Sequence, residues 1–116
     1  MKFPITAIGL LACLLAACAT HDLPVKVIVG AALIDPPMPF SVIVVKDGKI
    51  EAIGPQQTVP VPTASEKING IGKYVIPIDS NVKLQPGTVA DLLLVADPKN
   101  PATAERSMRA GVWVKP

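Results

Sequence analysis

The sequence predicts a mainly β protein, a small β-sandwich or open barrel of about six short strands with at most one short helix. Three observations carry that prediction. The apolar runs are short, rich in valine and isoleucine, and separated by glycine, proline and aspartate. The 116 residues include 13 prolines, each of which removes a backbone donor. Strands do not alternate with the helical segments, roughly 10–15 residues long, that parallel βαβ units require.

Taken in chain order, residues 25–29 are β-branched and read as a strand that runs on toward Ile34. Asp35-Pro36-Pro37-Met38-Pro39 then removes three donors and is expected to end the ladder. Residues 41–45 form the next strand. Asp47-Gly48, followed by the alternating Lys49-Ile50-Glu51-Ala52-Ile53, predicts a tight hairpin, because both turn positions need φ > 0. Gly54-Pro55 closes it. Residues 58–65 contain Pro60 and Pro62 and read as an extended loop. Lys67-Ile68-Asn69 and Tyr74-Val75-Ile76 flank Gly70-Ile71-Gly72 and predict a second hairpin. Gln85-Pro86-Gly87-Thr88 places glycine at the left-handed position of a type II turn. Asp91-Leu92-Leu93-Leu94-Val95 is a continuous apolar run expected of a strand buried on both faces, and Asp97-Pro98-Lys99-Asn100-Pro101 breaks it. Asn100, Pro101 and Gly111 stand where an N-cap, a first helical residue and a C′ residue belong, which predicts a short helix over 101–110. Val112-Trp113-Val114 makes a final strand.

The N-terminus reads as an address. Lys2 supplies a positive charge, and residues 5–15 form an apolar stretch shorter than the roughly 20 residues of a spanning helix. Leu15-Ala16-Ala17-Cys18 follows and resembles the bacterial lipobox. The resemblance implies that residues 1–17 are a lipoprotein signal peptide and that Cys18 is acylated as the new N-terminus. Two or more acyl chains hold a protein at a membrane far more firmly than one. Residues 18–24 would be a tether and 25–116 the folded domain. Ala19, which is not acidic, implies sorting to the outer membrane, so the expected location is the bacterial cell envelope, lipid-anchored and facing the periplasm. Cys13 would leave with the signal, and no intramolecular disulfide would remain. His21 falls in the tether and reads as a solvated linker residue.

Composition excludes several functions. The length is too short for a (β/α)₈ barrel, which needs roughly 200 residues or more. One histidine cannot build a histidine-rich metal site. A net charge of +2, evenly spread, argues against nucleic acid as a partner. Mean hydropathy is +0.47, raised in part by the N-terminal segment.

Lys46-Asp47-Gly48-Lys49-Ile50-Glu51-Ala52-Ile53-Gly54 resembles the opening hairpin of metal-dependent amidohydrolases, the imidazolonepropionase-like and dihydroorotase-like enzymes, and residues 27–35 resemble the strand before it. Gly72-Lys73-Tyr74-Val75-Ile76-Pro77-Ile78-Asp79 is similar to the segment that leads into that family's barrel. Leu84-Gln85-Pro86-Gly87-Thr88-Val89-Ala90-Asp91-Leu92 is similar to the segment that follows it. The resemblance implies a composite β-sandwich domain. In those enzymes a catalytic barrel is inserted between the two segments, whereas here only residues 80–83 stand between Asp79 and Leu84.

The family's first two metal ligands are a His-x-His that follows its Ile-Asp pair. Asn81 and Lys83 occupy those positions, and a lysine ammonium has no lone pair to offer a cation. The expectation is therefore no catalytic residue, no metal site and no cofactor, where the family would use zinc or another divalent metal. Asp79, Asp91 and Asp97 read as turn and strand-start residues rather than a metal cluster or acid/base pair. Tyr74 and Trp113 read as core, and Arg106 and Arg109 as a solvated helix face.

Two functions follow. One is a membrane-anchored, non-catalytic lipoprotein carrying an amidohydrolase-like β-sandwich without its barrel, either a binding or scaffold module or a degenerate remnant. The alternative is part of a metal-dependent hydrolase acting on non-peptide carbon–nitrogen bonds, its barrel supplied by another chain or lost from this sequence. Expected partners are the membrane, through the anchor, and either a second copy or a separate barrel chain. Loss of a barrel would expose Ile76, Ile78 and Val82.

Overall fold

A computed structural model of the chain describes residues 25–34 and 37–114. The signal, Cys18, the tether with His21, and Asp35-Pro36 lie outside the described residues. The protein is mainly β, with eight strands among the described residues: β1 (Val25–Leu33), β2 (Met38–Lys46), β3 (Lys49–Pro55), β4 (Glu66–Asn69), β5 (Tyr74–Pro77), β6 (Leu92–Val95), β7 (Ala104–Arg109) and β8 (Val112–Val114). They form one open sheet in the order β3-β2-β1-β5-β6-β7-β8, with β4 also pairing with β1. That is two strands more than the sequence suggested.

The hairpin at Asp47-Gly48 forms as its turn chemistry dictates. Asp47 has φ 54° and Gly48 φ 78°, and Lys46 pairs with Lys49 across the two-residue loop. Two boundaries differ from expectation. β2 starts at Met38 and takes in Pro39, and β3 continues through Gly54 to Pro55. Pro39 is exposed and falls at a register shift between β1 and β2, where its missing donor breaks no regular pair.

The second predicted hairpin does not form. β4 and β5 do not pair with each other; both run parallel to β1, Lys26–Val29 against β4 and Ala32–Leu33 against β5. Glycine makes this staggered pairing feasible. Gly30 bulges out of β1 at φ 87°, and a Cβ there would lie 2.6 Å from Ile71 Cγ1. A Cβ on Gly70 would lie 2.7 Å from that of Ala31. The two chains cross at a distance that side chains would prevent.

The predicted helix over 101–110 is also absent. Asn100 does cap a turn, its Oδ1 accepting from Ala102 N at 3.1 Å, and Pro101 follows it. The turn ends at Thr103 as a single 3-10 turn, Pro101–Thr103. β7 then pairs antiparallel with β6, from Leu92–Met108 to Val95–Ala104, and burial of Ser107 and Met108 outweighs helix propensity. Gly111, φ 81°, belongs to the Ala110-Gly111 hairpin turn between β7 and β8.

Curling of the sheet encloses the core. Ile28, Ile43, Ile50, Val75, Leu92 and Met108 belong to one buried cluster, although β3 and β7 stand near opposite ends of the strand order. The ends also meet through backbone. Ile50 N donates to Thr88 O at 2.9 Å, Ala90 N donates to Gly48 O at 2.9 Å, and Gly111 N donates to Ala90 O at 3.1 Å. The opposite face of β1 and β2 carries Val27, Val42 and Val44, covered by Val59 and Val61 of the proline-containing loop. This second cover explains why residues 41–45 are all buried.

Candidate functional site

The connection from β5 to β6 is where the fold leaves a concavity. β5 and β6 pair directly, from Tyr74–Val95 to Pro77–Leu92, so residues 78–91 loop out and return to the neighbouring strand. Two turns shape the loop. Val82 N donates to Asp79 O at 3.0 Å, and Thr88 N donates to Gln85 O at 3.2 Å with Gly87 at φ 92°, the type II geometry that Pro86-Gly87 predicts.

Beneath this loop lies a groove of about 880 Å³. Leu33, Met38 and Ile53 from the first three strands line it together with Ile76, Leu84 and Leu93. Ile78 and Val82 line it as well. Val82 is 43% exposed, while Ile76 and Ile78 are half-buried, so of the three residues expected at the surface only Val82 is an exposed one. Lys83 and Lys99, both exposed, are among the lining residues, and no aspartate or glutamate among the described residues is. Asn81 and Lys83, the family's metal-ligand positions, are both exposed on the loop and face this groove. Leu33, Met38, Ile53, Leu93 and Lys99 escaped sequence reasoning. Each sits in an element legible for other reasons, and no local pattern marks segments so far apart as neighbours.

The three aspartates are engaged separately. Asp79 Oδ1 accepts from Asn81 N at 2.9 Å, Asp97 Oδ1 from Lys99 N at 2.9 Å, and Asp91 Oδ1 from Ala110 N at 2.7 Å. The first two are local Asx turns, and the third fastens the β7–β8 turn to the start of β6. Among the described residues, no three His, Cys, Asp or Glu side chains gather around a common point. Asp91→Ala is expected to cost about 1.5–3 kcal/mol, the usual worth of a hydrogen bond to a charged acceptor, read as a lower urea midpoint. An unchanged midpoint would show that the turn holds without it.

Arg106 and Arg109 do not share a helix face, since both lie in a strand. Arg106 instead sits over the Trp113 ring, 5.4 Å from its centroid, a cation–π contact. Trp113 packs against the core cluster, as expected, although its Nε1 is buried without a partner. Tyr74 is half-buried. Lys73 and Glu105 form an ion pair at 2.8 Å across partly exposed side chains, worth about 0–1 kcal/mol.

No known protein family matches the chain. No curated protein matches it either. Among solved structures, molinate hydrolase is similar to part of it, with 28% identity and a TM-score of 0.42. The match covers 49% of this chain and 13% of that one.

Proposed function

We propose that this chain is a lipid-anchored envelope protein, residues 1–17 its signal and 18–24 its tether. Residues 25–116 form an amidohydrolase-like β domain that lacks the catalytic barrel and acts in binding or scaffolding rather than in catalysis. The observation that carries the reading is the direct pairing of β5 with β6. The two family-like segments, which would flank a barrel, are adjacent strands of one sheet, joined by an exposed loop with Asn81 and Lys83 at the ligand positions. Neither side chain can replace imidazole, and an ammonium repels a divalent cation. The groove beside the loop offers apolar surface and amines, a surface for holding a ligand.

Metal analysis and hydrolase assays on the purified chain test the catalytic half of this reading. The expected result is substoichiometric zinc and no turnover of cyclic amides; one bound zinc per chain with turnover would restore the hydrolase alternative. Cys18→Ala tests the anchor. The variant is expected to lose both lipid labelling and outer-membrane fractionation, and an unchanged distribution would reject lipidation at that residue.

A further inference from the structure

We propose that the groove under the 78–84 loop binds a single-chain anionic amphiphile, an alkyl tail ending in one carboxylate or phosphate ester. The proposal rests on the binding reading above, and the two fail separately, since metal content and turnover do not depend on the groove.

The lining supplies both halves of such a ligand's environment. Its body is aliphatic, built from Leu33, Ile53, Ile76, Leu84 and Leu93, with Met38 adding a flexible side chain that adapts to an alkyl tail. At about 880 Å³ it falls within the roughly 300–1,000 Å³ of small-molecule sites. Val82 and Ile34 leave apolar surface in water at its border, 43% and 49% exposed, which a tail would cover.

Charge selects the head. Lys83 and Lys99 reach the lining from two different loops, and among the described residues neither is in an ion pair. The nearest carboxylates in sequence, Asp79 and Asp97, each use an oxygen on a backbone amide of their own turn. Two lysines in the lining of an apolar groove, with no acidic residue among its described lining residues, favour an anion and disfavour a cation of the same length.

Calorimetric titration of the full chain with octanoate, decanoate, monodecyl phosphate, 1-decanol and decyltrimethylammonium, all below micelle formation, tests this. Decanoate is expected to bind saturably, one per chain, and roughly fifteenfold tighter than octanoate, since each added methylene is worth about fourfold. Lys83→Gln/Lys99→Gln should weaken decanoate and decyl phosphate at least tenfold and leave decanol unchanged. Val82→Asp, on an exposed loop where folding is not at stake, should weaken decanoate, decyl phosphate and the neutral decanol alike and so place binding in the groove rather than at the N-terminal segment. The tighter of decanoate and decyl phosphate names the head. No saturable binding, equal affinity for the cationic probe, or insensitivity to Val82→Asp would overturn the proposal. So would a dimer in sedimentation that Val82→Asp dissociates and decanoate does not.

Discussion

Gly111→Ala is expected to destabilise the domain by about 3 kcal/mol, combining the roughly 1–3 kcal/mol cost of a non-glycine residue in the left-handed region with a collision between backbones. Gly111 has φ 81°, and a Cβ on it would lie 2.7 Å from Gly48 Cα. That neighbour is the tip of the β2–β3 hairpin, held by Ala90 N to Gly48 O, so it cannot retreat without opening the seam that closes the curl. A domain of this size has on the order of 5–10 kcal/mol in all, so the loss is a large fraction of its stability. With a small-protein urea slope of about 1–1.5 kcal/mol/M, the midpoint should fall by about 2–3 M. Ala110→Asn in the same turn is the control. Ala110 already holds φ 49°, which asparagine tolerates better, so that variant should be neutral or slightly stabilised. A midpoint unchanged by Gly111→Ala would mean the two hairpin tips are not packed together.

What the residues disclose in advance follows from the range of the interaction. Asp47-Gly48 and Pro86-Gly87 were readable because the φ angles they require are local properties, satisfied by whatever else the chain does. Gly111 was equally readable as a residue at φ > 0. Its context was not, because a helix C′ and a type I′ turn place the same demand on glycine. Asn100-Pro101 signalled a cap correctly, but whether the chain after Thr103 coils or extends is decided by β6, a partner from another segment of the chain. Gly70-Ile71-Gly72 reads as a hairpin turn because the parallel pairing of β4 and β5 with β1 spans some forty residues and leaves no local mark. The groove illustrates the same limit. Asn81, Lys83, Ile76, Ile78 and Val82 belong to one continuous segment, whereas Leu33, Met38, Ile53 and Lys99 become its neighbours only once the sheet curls.

Leu92→Ala and Leu93→Ala, adjacent in one strand, should separate what holds the fold from what the groove presents. β6 joins the two halves of the sheet: Leu92 pairs with Pro77 of β5 on one side and Met108 of β7 on the other. Leu92 is fully buried in the main core among side chains from both halves. Its truncation removes packing on all sides, and such buried leucines lose about 3–5 kcal/mol when cut to alanine. Leu93 points to the other side of the strand, is only partly buried, and lines the groove. Its truncation should cost about 1 kcal/mol, because water already reaches part of the surface it covers. The pair therefore predicts a crossover. Leu92→Ala should lower the urea midpoint steeply, and Leu93→Ala should leave the midpoint nearly in place while weakening decanoate binding severalfold. Equal midpoint losses would mean that β6 is buried on both faces and that the groove is part of the core.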